Sequence, residues 1–88
     1  MSLDALEGRT LTLYTKAGCH LCEHAMAALQ RLRAEIAFEI QQRDIERDPD
    51  LLAAYFDRIP VVSLDGVELC DGVVDEDLLR GALLARAV

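Results

Sequence analysis

The residues able to do chemistry cluster in one stretch, "YTKAGCHLCEH", from Tyr14 to His24. It holds Cys19 and Cys22; the third cysteine, Cys70, lies far along the chain. Residues three apart share one face of a helix, and one turn of separation needs little adjustment to reach disulfide geometry. The pair is therefore suited to thiol–disulfide exchange. Cys19 follows Gly18 at the point where a helix is expected to begin. A helix start carries unpaired N–H groups and about half a positive charge. A thiolate there is stabilised, and its pKa falls below the free value of about 8.5. Cys22 shares a stripe with Met26 and Leu29 and is expected to be the more buried. These positions cast Cys19 as the attacking thiolate and Cys22 as the thiol that resolves the mixed disulfide. Lys16 and His20 flank Cys19 and can add positive charge beside it. Lys16 reads equally as a solvated loop lysine, and His20 as an exposed helix-start residue.

The elements that position this pair are legible around it. Thr10 to Thr15 alternates Leu11 and Leu13 with threonines, the pattern of a strand. Gly18 ends it. From Cys19 a helical period carries Leu21, Ala25, Ala28, Leu29, Leu32 and Ile36 on one stripe, with Glu23, Gln30, Arg31 and Arg33 largely off it. Ala37 to Ile45 alternates again and reads as a second strand. Two strands joined by such a helix suggest a right-handed crossover and a parallel pair. Asp48 before Pro49 reads as a helix cap followed by a first-turn proline. The short helix there offers Leu51, Leu52, Tyr55 and Phe56 as its apolar face. Val61 to Leu64 and Val67 to Cys70 read as a hairpin turning at Asp65-Gly66. Asp75 caps a last helix with Leu78, Leu79, Ala82 and Leu83 inside. Arg80 and Arg86 lie toward its end, favourable for the dipole. The third strand should start beside the cysteine pair and the fourth return to it, which brings Cys70 to the same end of the sheet.

Composition narrows the function. The chain has 88 residues, 52% of them hydrophobic, and no linker, so one domain spanning 1–88 is expected. Net charge is -7. An acidic surface disfavours nucleic acid, and the nine Lys and Arg form no basic run. No apolar run approaches the roughly 18–20 residues that span a bilayer, so no membrane partner is expected. The opening residues, with Asp4 and Glu7, lack a signal core. A cytoplasmic monomer is the expectation. Three cysteines in a reducing compartment argue against a structural disulfide framework and for catalytic or ligating use.

The order β-α-β-α-β-β-α with CxxC after the first strand resembles the thioredoxin fold, an α/β fold with a four-stranded mixed sheet flanked by helices. "LTLYTKAGCHLC" followed by "RIPVVSLDG" is similar to glutaredoxins, over roughly Leu11 to Leu84. The resemblance implies a thiol–disulfide oxidoreductase acting on protein disulfides or glutathione mixed disulfides. It carries the nucleophile to Cys19, the resolving thiol to Cys22, a glutathione-binding lysine to Lys16 and the family's cis-proline to Pro60. It also implies that the main chain of Ile59 pairs with the substrate. The resemblance would match Asp75 to an aspartate that contacts glutathione, but the position reads better as an ordinary helix cap. The resemblance implies no bound cofactor or metal, with glutathione as a candidate co-substrate. Two features depart from glutaredoxins. His20-Leu21 stands where they have Pro-Tyr, and Cys70 to Asp77 holds only Gly72 where they have a Gly-Gly pair.

Other readings remain. Cys19, Cys22 and Cys70 with His20 or His24 would supply four ligands to a metal or an iron–sulfur cluster, although only one close cysteine pair exists. Cys70 is either an extra exchange thiol or a small apolar residue closing a strand. A redox-inert interaction domain on the same fold is the third reading.

Overall fold

In a computed structural model the described residues are 6–86; the amino-terminal reading around Asp4 lies outside them. The elements run β1 (Thr10–Thr15), α1 (His20–Glu35), β2 (Glu39–Asp44), a 3-10 turn (Ile45–Arg47), α2 (Pro49–Tyr55), β3 (Val61–Leu64), β4 (Val67–Asp71) and α3 (Glu76–Arg86). The sheet order is β2-β1-β3-β4. β1 and β2 are parallel, and β1 with β3 and β3 with β4 are antiparallel. This is the mixed four-stranded sheet and element order expected from the sequence.

The two faces of the sheet follow from the alternation in β1. Leu11 pairs with Leu64, and Leu13 with Val62. All four join the core with Ala25, Leu29 and Leu32 of α1 and with Leu79 and Leu83 of α3. α1 and α3 therefore cover one face. Thr12 pairs with Ser63 and Tyr14 with Val61, so these side chains point to the opposite face. There the Tyr55 ring of α2 lies 4.8 Å from that of Tyr14. All four residues of β3 are buried, as befits a strand covered on both faces.

Local chemistry sets the boundaries. Asp48 accepts from the Asp50 and Leu51 N–H groups, and Pro49 opens α2. Asp75 Oδ1 accepts from the N–H of Asp77 at 3.0 Å and of Leu78 at 3.1 Å, capping α3. The hairpin turns on Asp65 (φ 49°) and Gly66 (φ 85°), both left-handed, as the tightest hairpins require. Arg9 pairs with Asp65 and holds its carboxyl below the usual range. Between Val62 and Ser63 the register with β4 slips, leaving Leu69 unpaired in the ladder.

Three sequence expectations are corrected. β2 starts at Glu39 rather than Ala37, and Ile45 belongs to the 3-10 turn, although Phe38 and Ile45 are both buried. Leu21 is 43% exposed and Leu78 is 74% exposed. Each stands about 100° around its helix from the buried neighbour, Cys22 or Leu79, and a small sheet admits only a narrow stripe. α2 buries no residue fully, and Phe56, just past its end, is 63% exposed. Two turns of helix seat only Leu51 and Tyr55, both half-buried.

These burials predict a split. Leu29→Ala should cost about 2–5 kcal/mol of unfolding free energy through the cavity it leaves. Leu78→Ala should stay within about 0.5 kcal/mol of the parent. Urea unfolding midpoints measure both, and equal losses would contradict the packing of α3.

Candidate active site

β1 delivers the chain to the site and α1 takes it away. Between them Gly18 adopts φ 77°, a left-handed turn that costs a residue without a Cβ little. Cys19 is then the N-cap of α1, in extended conformation, and its Sγ accepts the N–H of Cys22 at 3.1 Å. Its carbonyl accepts the N–H of Glu23 at 3.1 Å. Cys19 thus sits on the unpaired N–H groups of the first turn, where a sulfur anion is stabilised. The two sulfurs are bonded, with Cα atoms 5.2 Å apart. Cys22 is buried and Cys19 half-buried, so attack from outside is open only at Cys19.

A cleft of about 890 Å³ opens beside the pair. One wall is the 15–19 loop with Cys22 and Met26; the other is the end of β2 and the turn that follows, from Gln41 to Asp48. Thr15 pairs with Asp44 in parallel register, so both strand ends reach the same rim. That is the crevice where open α/β sheets hold ligands. Lys16, Arg43 and Arg47 line it with Glu23, Asp44 and Asp48. Two of these carboxylates are already engaged: Asp44 accepts from the Glu46 N–H, and Asp48 caps α2. Arg43 approaches Asp48 at 3.7 Å, whereas Lys16 and Arg47 have no ion-pair partner among the described residues. The cleft thus holds as many cations as carboxylates, with Lys16 and Arg47 the cations left without an ion pair among the described residues.

The other sequence-selected residues lie around this centre. His20 is 91% exposed, with Nδ1 3.5 Å from Glu23. Ile59–Pro60 is a cis peptide bond, with Pro60 buried and Ile59 half-buried. β3 begins at the next residue, opposite Tyr14, so this turn stands at the CxxC end of the sheet, on the flank away from β2. Asp75 caps α3 and does not line the cleft. Cys70 pairs with Val62 near the same end of the sheet but packs half-buried against the core, outside the cleft. Burial, then the negative charges of Asp71 and Glu68, push its thiol above the ordinary value of 9.0. Among the described residues no three His, Cys, Asp or Glu side chains converge as a metal site. Arg43 and Arg47 were missed in the sequence. A parallel crossover puts whatever follows β2 beside whatever follows β1, and that signal was available.

The sheet, the helices on both faces and the CxxC at the start of α1 define a thioredoxin-fold protein. The chain belongs to the family described as Glutaredoxin-like domain (DUF836), matched over residues 10–84. It is similar to an uncharacterized protein of Mycobacterium tuberculosis, 39% identical over 80 residues, covering 85% of this chain and 81% of the relative. Among solved structures it resembles a Nitrosomonas europaea protein with a TM-score of 0.76 and 36% identity, covering 89% of this chain and 93% of that one. It also resembles a mutant thioredoxin of Halobacterium salinarum, with a TM-score of 0.71, 21% identity and coverage of 93% and 77%, a likeness of fold alone. Family and CxxC pair together support a thiol-based redox role. No described helix is long and apolar enough to cross a membrane.

Cys70 gives a pH prediction. With its pKa raised on folding, the folded chain holds a proton that the unfolded chain has lost between the two values. Stability should therefore fall as pH rises past the ordinary thiol value of 9.0, and Cys70→Ala should flatten that fall. Denaturant titrations at pH 7.5 and 9.5 measure it; an unchanged slope in the variant would show that another group is responsible.

Proposed function

We propose that the protein is a thiol–disulfide oxidoreductase that reduces protein disulfides or glutathione mixed disulfides. The observation that carries the reading is the linked pair across the first turn of α1, with Cys19 at the mouth of a cleft and Cys22 buried behind it. In the dithiol form, Cys19 Sγ loses its proton to solvent and lies on the Cys22 N–H. The thiolate attacks one sulfur of the substrate disulfide. A new bond joins Cys19 to that sulfur, and the other substrate sulfur leaves as a thiolate that takes up a proton. Cys22, deprotonated in turn, attacks Cys19 Sγ and expels the second substrate sulfur as a thiol. Two electrons have passed to the substrate, and the Cys19–Cys22 disulfide remains, the state seen here. Two glutathione thiols, or one dithiol protein, return the electrons.

The cleft supports glutathione as co-substrate. Its two carboxylates would be met by Lys16 on one wall and by Arg43 and Arg47 on the other. Asp75, which caps α3 outside the cleft, takes no part in this reading. Ile59 contributes its main chain to a client segment, and Pro60 fixes that turn. His20 has Glu23 as its neighbour, which makes any charge it lends the thiolate a shared one.

Equilibration in graded glutathione buffers, with acid quench, alkylation and intact mass, tests the reading. Cys19 and Cys22 should lose and regain alkylation together. Cys19→Ser should lose reductase activity, and Cys22→Ser should accumulate a mixed disulfide on Cys19. Full activity in Cys19→Ser would end the proposal. Separately, Arg47→Glu should raise KM for a glutathionylated substrate by about tenfold, the equivalent of one lost charge-assisted contact. Steady-state kinetics at low salt, where surface charge is least screened, read the change.

A further inference from the structure

Arg58 closes a ring of contacts around the turn that leads into β3. Its Nε donates to Asp71 Oδ2 at 2.9 Å, and its Nη2 donates to Glu68. The guanidinium carbon lies 5.6 Å from the centroid of Tyr55, whose ring stacks on Tyr14. On the main chain, the Arg58 N–H donates to the Tyr55 carbonyl at 2.9 Å. The Gly72 N–H is shared between the carbonyls of Arg58 at 3.1 Å and Pro60 at 2.8 Å. The turn is thus held to β4 by main chain and side chain, and to α2 and β1 by a cation–aromatic stack. Ile59 lies between these fastened residues. Its own N–H and carbonyl have no hydrogen-bond partner among the described residues. A half-buried main chain left open beside fixed neighbours is an edge for an extended segment to pair with.

We propose that Arg58 is a positioning residue for protein clients: by bridging β4 to the Tyr55 ring it holds the open Ile59 main chain at the height where an extended client segment pairs with it. This rests on the oxidoreductase reading above. Arg58 touches neither sulfur. Exposed ion pairs add little to stability, so what the guanidinium supplies is geometry. Its planar fork reaches two carboxylates while lying over a ring, which a lysine ammonium cannot reproduce.

The test compares two disulfides in the full chain. One is a glutathionylated linear peptide, which offers a main chain to Ile59. The other is 2-hydroxyethyl disulfide, which offers none. Arg58→Ala should raise KM for the peptide about tenfold with kcat within about twofold, and leave the small disulfide within about twofold. Arg58→Lys should fall between. Asp71→Asn, which loosens the other end of the bridge, should move the peptide KM in the same direction and carries the test if Arg58→Ala folds poorly. Equal loss on both substrates, or no change on either, would overturn the role of Arg58. Parent activity on 2-hydroxyethyl disulfide that vanishes in Cys19→Ser isolates the underlying chemistry. A parent inert toward both disulfides would remove the oxidoreductase reading and this role together.

Discussion

The packing of β1 against α1 is the contact on which the site depends. Leu11 and Leu13 face Leu29 and Leu32 in one core, with less than 2% of any of the four exposed. Close-packed side chains leave little room for the helix to slide or turn. Once that contact is made, the first turn of α1 stands just past the end of β1. The residue linking them must turn sharply, which Gly18 does at φ 77°. Cys19 is then at the N-cap because the hydrophobic register of the helix begins there. The sulfur's electrostatic environment is thus a consequence of where four leucines pack some distance away.

Net charge is a poor guide to the field at that sulfur. The chain carries -7 overall, yet three of its cations, Lys16, Arg43 and Arg47, gather on the cleft. The carboxylates among them are largely occupied in capping, at Asp44 and Asp48. A capping carboxylate already interacts with backbone donors, so its competition with an incoming anion for those cations is weakened. Elsewhere, acidic residues pair with Arg31 and Arg80. Arg80 meets Glu35, Glu76 and Asp77, and Arg31 meets Glu76. These pairs fasten α1 to α3 on the far side of the core. The molecule therefore separates cations that hold helices together from cations that line the cleft beside the cysteine pair.

Much of this was legible in the sequence because it is local. Alternation in β1, the Asp48-Pro49 and Asp75 caps, the Asp65-Gly66 turn and the strand-to-helix step at Cys19 each need only a few neighbouring residues. The element order then left few topologies open. The differences arose where burial depends on what covers a face. Leu21, Leu78 and Phe56 satisfy an apolar periodicity, but the sheet is too narrow to cover them. Cys70 has the right place along β4 for exchange; its orientation into the core comes from a ladder whose register slips at Leu69. Arg43 and Arg47 carry no motif at all. Only the parallel register of β1 and β2 brings them to the cleft.

The CxxC has two flanks, and they differ in physical kind. Toward β2 lie a broad cleft and long, charged side chains able to adapt to a small anionic partner. Toward β3 lies a turn fastened from several sides, with one open stretch of main chain. Main-chain pairing rewards rigidity, because an edge held in place loses little entropy when a partner docks. Charge attraction tolerates freedom, because it falls off gently with distance. A dithiol that must take electrons from one partner and give them to another benefits from that division. On the proposed reading, charge on one side would gather a small anionic reductant and open backbone on the other would align a protein client, with Cys19 between them.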